Sequence, residues 1–172
     1  MSPIIETSRL IIREITSDDL QGMFELDSNT EVHRYLGNDL VKSTEESEQL
    51  IAFIRQQYLD NGIGRWAMVE KHSGCFMGWT GFKFISETIN DHSGYYDLGY
   101  RMLPRYWGRG YATESAKACL KYGIETLNLK PIYAMANAEN TASKRVLIKT
   151  GFTPAGSFMH RNILHDWFVI SA

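Results

Sequence analysis

The sequence predicts one mixed α/β domain spanning residues 1–172, and three observations carry that expectation. A chain of 172 residues with 44% hydrophobic and only 22% charged residues is the size of one domain and can bury a sizeable core. Aromatic and aliphatic β-type runs recur along it between amphipathic helical patterns. Between Asp97 and Thr113 a strand, a glycine-punctuated basic turn and the start of a long helical pattern follow one another directly.

Taken in order, Arg9–Glu14 is a short β-type run, and Thr16-x-x-Asp19 is a capping box that opens a helix to about Asp27 with Leu20, Met23 and Phe24 facing inward. A short helix around Glu31 to Tyr35 is expected next. Ser43-x-x-Glu46 repeats the capping signature and opens a helix to about Tyr58, with Leu50, Ile51, Ile54 and Tyr58 at helical spacing, until Asn61-Gly-Ile-Gly64 breaks it. Arg65–Glu70, a turn at Lys71–Gly74 and Cys75–Ser86 read as a hairpin. After a turn at Asn90–Gly94, Tyr95–Leu103 is the next antiparallel strand, and Pro104 stops it.

From Ala112 onward, Ala116, Cys119, Leu120, Gly123, Ile124 and Leu127 keep helical spacing over about 14 residues. Leu129–Asn137 is a strand starting at Pro131, and Asn140-Thr-x-Ser143 begins a helix that runs through Lys149 and ends at Gly151, the left-handed position after a helix. Short β-like segments around Met159 and Trp167 close the chain, and no internal repeat or low-complexity segment occurs.

Composition narrows the partners. A formal net charge of −2 gives no global reason to expect nucleic acid or an anionic membrane, so the expected partner is a small molecule or a protein end. The two cysteines, Cys75 and Cys119, form no C-x-x-C, Met1–Arg13 never reaches a signal-like apolar run, and no stretch is apolar enough to span a bilayer. A reduced, cytoplasmic protein is the expectation. His160 and His165 fall near the C-terminal strands, where contact with substrate is open to them, and with no third ligand beside them no metal site is expected.

The basic turn is where chemistry enters. The first turn of a helix carries unpaired N–H groups and partial positive charge, Gly108 and Gly110 let the backbone come close to a ligand, and Arg105 and Arg109 add charge for phosphate oxygens. On glycine spacing alone, an ordinary strand-to-helix connection explains the turn better than a phosphate site does. No G-x-x-x-x-G-K-[ST] occurs, and Gly108-x-Gly110-x-x-Thr113 lacks the third small residue of the dinucleotide fingerprint.

Arg105-Tyr-Trp-Gly108-Arg-Gly110 does fit [QR]-x-x-G-x-[GA], and it resembles the acyl-coenzyme A pyrophosphate loop of the GNAT acetyltransferases. Its continuation Tyr111–Ala116 is similar to the branch that acetylates ribosomal-protein N-termini. Glu6-Thr-x-Arg9-Leu-Ile-Ile-Arg13 with Thr16-Ser-Asp-Asp19 resembles the opening of that branch. A third stretch, Asn140-x-x-Ser143-Lys-x-Val-Leu-x-Lys149-x-Gly151-Phe152, is similar to the family's later helix. Together the three span most of the chain.

The resemblance implies a mainly antiparallel sheet of six or seven strands, opened at Asp97–Leu103, with helices on both faces. It implies direct transfer from acetyl-CoA to a primary amine without a covalent enzyme intermediate. The pyrophosphate would lie on the amides of Gly108, Arg109, Gly110, Tyr111, Ala112 and Thr113, with the Arg105 and Arg109 side chains nearby. Met102 and Leu103, with Arg101, would run along the pantetheine arm, and a backbone N–H near Met102 would serve the oxyanion. Asn140 would either cap its helix or hydrogen-bond the pantetheine amide.

Asp97 stands where many relatives have a glutamate and shares a strand face with Gly99 and Arg101, so it is either the base or a carboxylate paired with Arg101 or another arginine. Glu114, in the first turn of the cofactor helix, reads as structural. Leu147 occupies the position of the family's usual general-acid tyrosine, which shifts that role to Ser143, whose other reading is helix capping. The helical pair before the first hairpin would line the acceptor groove, which makes Tyr35, Phe53 and Tyr58 either substrate contacts or core. For the acceptor, the resemblance favours a protein or peptide N-terminal α-amine over a polyamine or an amine-bearing antibiotic. Tyr35 with Glu45, Glu46 and Glu48 would equally suit a cation. A non-catalytic acyl-CoA-binding module is the alternative from another class, and either a monomer or a homodimer is expected.

Overall fold

Local capping signals set most of the element boundaries. The computed structural model describes residues 4–170, so the first three residues of the Met1–Arg13 reading and the last two of Phe152–Ala172 lie outside it. Strands β1 (Ile5–Glu6) and β2 (Leu10–Glu14) lead to Thr16, whose capping box with Asp19 starts a single 3₁₀ turn and then α1 (Leu20–Asp27). Asn29 accepts from the amides of Glu31 and Val32 and starts α2 (Thr30–His33). Ser43 caps α3 (Thr44–Asn61), which outlasts the expected end at Tyr58 because nothing stops it before Gly62, left-handed at φ 70°.

Two strands follow as a hairpin, β3 (Arg65–Glu70) and β4 (Phe76–Ile85), and then β5 (Tyr95–Met102). The remaining elements are α4 (Tyr111–Glu125), β6 (Ile132–Asn137), α5 (Thr141–Lys149), β7 (Phe152–His160) and β8 (Ile163–Ile170). They form one eight-stranded sheet in the order β1-β2-β3-β4-β5-β6-β8-β7, antiparallel throughout except between β5 and β6. The count exceeds the six or seven expected because Ile5–Glu6 adds a short edge strand. The C-terminal β segments are nine and eight residues long, joined through a tight turn with both Arg161 and Asn162 at positive φ.

Strand alternation divides the core between the two faces of the sheet. Ala67 and Val69 pack with Ile15 and with Met23, Ile51 and Ile54 of α1 and α3. On the opposite face Trp66, Phe82 and Leu98 pack with Ala116, Cys119 and Leu120 of α4 and Leu147 of α5. Helices therefore cover both faces. Among the described residues no helix is long and apolar enough to cross a membrane.

One defect in the sheet positions everything that follows. β5 stays paired with β4 as far as Met102 opposite Gly78, but it matches β6 only at Tyr96–Ile132 and Asp97–Tyr133. Beyond Asp97 the two strands part, as the sequence resemblance implied, while β6 goes on pairing with β8.

Candidate active site

The parting strands border a cleft of about 600 Å³, reached by the starts of α4 and α5 and by α2. The hydrogen-bond phase of β5 decides which backbone groups face it. Leu103 N–H donates to the Met77 carbonyl at 2.9 Å, and Tyr96 N–H donates to Pro131 O at 3.0 Å. In an antiparallel pair the bonded residues alternate, so odd-numbered residues of β5 bond β4 while Leu98, Tyr100 and Met102 turn their main-chain groups toward the opening. The Met102 carbonyl accepts from Trp107 Nε1 at 2.9 Å, which fixes the loop against the strand end. Leu103, expected on the cofactor arm, is placed elsewhere: its side chain is buried and its N–H is engaged with β4.

After Leu103 the chain makes a 3₁₀ turn, and Gly108 (φ 72°) and Gly110 (φ 81°) take left-handed conformations that L side chains rarely adopt. Gly110 starts α4 without a side-chain cap, so the first-turn amides are left to water or a ligand. Gly108 and Ala112 line the cleft. Arg109, next to Gly108, is exposed, and its carbonyl accepts from Arg9 at 2.9 Å. Arg105 is paired with Glu25, both half-exposed. Tyr111 offers only its backbone, because its hydroxyl donates to Glu70 at 2.8 Å and Arg9 stacks over its ring. Thr113 is half-buried in the first turn of α4. Glu114 turns away to Thr7 and Arg9, at 2.6 and 2.7 Å. Although burial pushes its carboxyl up, these bonds hold it below the ordinary value.

Asp97 lies where the strands part, and its partner is Arg65 rather than Arg101. The Arg65 guanidinium also donates to the carbonyls of Gly81 and Asp97, at 2.6 and 2.8 Å. It lies across Gly99, where a Cβ would come within 2.9 Å of it and push the guanidinium aside. Burial pushes the Asp97 carboxyl above its ordinary value, against the pull of Arg65. Arg101 instead donates to Asp27 at 2.5 Å, and both arginines stand 5.0 Å from the ring centroid of Trp79. His33, also buried, is 3.7 Å from Asp27.

On the other wall, Asn140 Oδ1 accepts from Ser143 N–H at 3.1 Å, so Asn140 is the cap of α5 and the Ser143 hydroxyl does not cap the helix. Ser143 Oγ is 3.0 Å from the Tyr100 hydroxyl, which also donates to the Ser143 carbonyl at 2.9 Å. Leu147 is buried one turn along. Both cysteines are remote: Cys75 is exposed before β4, and burial in the core pushes the Cys119 thiol up to about 12.

Asp97, Met102, Gly108, Ala112, Asn140 and Ser143 thus share one cleft. Tyr35 and His165 also line it, whereas Phe53 is exposed on α3 and His160 lies outside. The Tyr58 hydroxyl donates to the Arg65 carbonyl and accepts from Ile15 N–H, which makes it a structural brace. Glu45, Glu46 and Glu48 are surface residues of α3, away from the cleft. Sequence reasoning missed Arg65, Trp79, Tyr100 and Trp107. Only Trp107, inside the loop motif, had a signal to follow.

Comparison with known proteins agrees with this geometry. Residues 9–153 match the family described as acetyltransferase (GNAT) domain. The uncharacterized N-acetyltransferase YoaA of Bacillus subtilis is 32% identical over 165 residues, covering 94% of this chain and 91% of that protein. Spermidine N(1)-acetyltransferase of Escherichia coli is 28% identical over 157 residues, or 91% of this chain and 80% of that one. The ribosomal-protein-S5-alanine acetyltransferase of Vibrio fischeri, 19% identical, shares the fold with a TM-score of 0.73 over 95% of this chain and 93% of its own.

Proposed function

The chain belongs to the GNAT acetyltransferase family and is an acetyl-CoA-dependent N-acetyltransferase, and we propose that the amine it acetylates is the α-amine of a protein or peptide N-terminus. One observation carries the assignment of the site. The opening between β5 and β6 joins Asp97, Ser143 and the cleft-facing backbone of β5 beside the uncapped start of α4.

Acetyl-CoA supplies an activated acetyl thioester. In this reading the amides of Gly108 and of the first turn of α4 hold its pyrophosphate, with Arg109 rather than the Glu25-bound Arg105 adding charge. Asn140 keeps its side-chain N–H₂ for the pantetheine arm, since Oδ1 serves the cap. Met102 N–H, turned into the cleft, donates to the carbonyl oxygen as charge develops there. Asp97 takes a proton from the incoming amine through water, and its upward shift makes it a better base than a solvated aspartate. Ser143, whose hydroxyl turns from the Tyr100 oxygen, gives a proton to the departing sulfur and is reprotonated from water. The positions of both cysteines fit direct transfer without a thioacyl-enzyme.

An α-amine with an ordinary pKa near 7.7–8.0 is partly neutral at pH 7, whereas a lysine at about 10.4 is not, so a weak carboxylate base suits the former. A polyamine acceptor is favoured by the similarity to the E. coli spermidine enzyme. Against it, Asp97 and Asp27 are each paired with an arginine, which leaves Glu31, among the described residues, as the one lining acid open to a cation. Competition at fixed pH between spermidine and a short peptide with a free N-terminus tests the choice. The peptide is expected to be acetylated faster, and faster turnover of spermidine overturns the assignment.

A further inference from the structure

Arg101 is built into the cleft wall in a way that the acetyl-transfer chemistry does not require. It lies on the face of β5 that carries Asp97, four residues further along the strand. Its Nη1 is anchored at 2.5 Å by Asp27, whose side chain is only 1% exposed, and its guanidinium packs on Trp79. A guanidinium has five N–H donors. Here one is engaged, and among the described residues Nε and Nη2 meet no protein acceptor, while the side chain lines the cleft.

Its neighbours sharpen the point. Arg65, whose other contacts are the carbonyls of Gly81 and Asp97, holds the Asp97 carboxylate. Arg34 adds a third cation to the lining, and Glu31 is the one acid of the lining without an arginine partner among the described residues. Among the described side chains the lining therefore carries three arginines against one unpaired acid, Glu31. An anion supplies the acceptor that the free donors of Arg101 lack. The guanidinium carbons of Arg65 and Arg101 are at most about 10 Å apart, since each is 5.0 Å from the same ring centroid. An amine at Asp97, which Arg65 holds, and an anion at Arg101 therefore fall along one wall of the same cleft.

We infer that the acceptor carries a carboxylate on the same small molecule or first residue as the reacting amine and that Arg101 binds it, a specificity that rests on the α-amine reading above. Two sources share this chemistry. One is the acidic side chain at the start of a peptide, and the other is the α-carboxylate of a free amino acid.

Steady-state kinetics with matched acceptors separate them. The peptide arm compares peptides starting with Asp or Glu against the same peptides starting with Asn or Gln, and the amino-acid arm compares amino acids with their carboxamides. Wild type is expected to favour the charged member of at least one pair by about tenfold in kcat/KM. Arg101→Gln is expected to remove that preference, raising KM for the charged member about tenfold more than for the neutral one. Arg101→Lys should recover part of it. Equal use of charged and neutral members by wild type overturns the inference whatever the variants do, while turnover of the neutral α-amines leaves the α-amine reading standing. Turnover of spermidine alone overturns both. An equal loss on every acceptor in Arg101→Gln would show a structural brace and also overturn the inference.

Discussion

The two sides of the cleft are built from different material. The side assigned to acetyl-CoA is a continuous piece of chain, β5, its loop and the start of α4, and on that proposal it would work mainly through the backbone: Met102 N–H, the left-handed Gly108 and Gly110, and uncapped helix amides. The side assigned to the acceptor is assembled from side chains far apart in sequence, Arg65 with Asp97, Arg101 with Asp27, and Trp79 between the arginines. Backbone donors offer the same chemistry whatever side chains surround them, which suits one invariant co-substrate. Side-chain ion pairs depend on each partner, which suits an acceptor that differs among relatives.

The largest expected effect tests the acceptor side. Asp97→Asn should lower kcat/KM on the order of 10²- to 10⁴-fold if Asp97 is the base. Calorimetry on the same variant should find acetyl-CoA binding retained, which shows that removing the Arg65 partner has not unfolded the site. Full activity in that variant would leave Asp97 a purely structural anion.

On the backbone side, Gly110→Val puts a β-branched residue at φ 81°. Left-handed strain of about 1–2 kcal/mol should weaken acetyl-CoA by about tenfold, with KM for the acceptor unchanged. Unchanged acetyl-CoA affinity would break the contrast between the two sides.

Tyr100 and Ser143 bridge the two sides. Ser143→Ala and Tyr100→Phe should each lower kcat by about tenfold, and the double variant should lose little more than either alone, because both changes remove one donor unit. Additive losses would separate the two hydroxyls.

The smallest effect concerns stability. Burial, then the neighbouring charge of Arg101, pushes the His33 imidazole below its ordinary value, against the opposing pull of Asp27 and Asp39. A histidine with a lowered folded-state pKa contributes stability that is present above the unfolded value near 6.5 and is lost as pH falls through the folded one. Denaturant melts of His33→Gln should therefore lose stability less steeply below pH 6.5 than wild type does. Parallel curves would show that the imidazole charges without cost.

The sequence by itself determined what depends on neighbours along the chain. Thr16, Asn140 and Ser43 announce helix starts because a capping side chain bonds amides two or three residues away. The Gly108–Gly110 turn was legible because left-handed backbone is a local glycine property, and the resemblance carried by the loop pointed to the right family. Only the tertiary structure decided which charges meet. Arg65 reaches Asp97 because β4 lies between their strands and Gly99 is flat, and Arg101 turns to Asp27 because α1 packs over that face. Leu103 leaves the cleft because the hydrogen-bond phase of β5, set by its pairing with β4, gives its N–H to Met77. Register and sheet order are long-range quantities: a shift of one residue reverses every side chain on a strand, and no spacing within β5 encodes which strand will lie beside it.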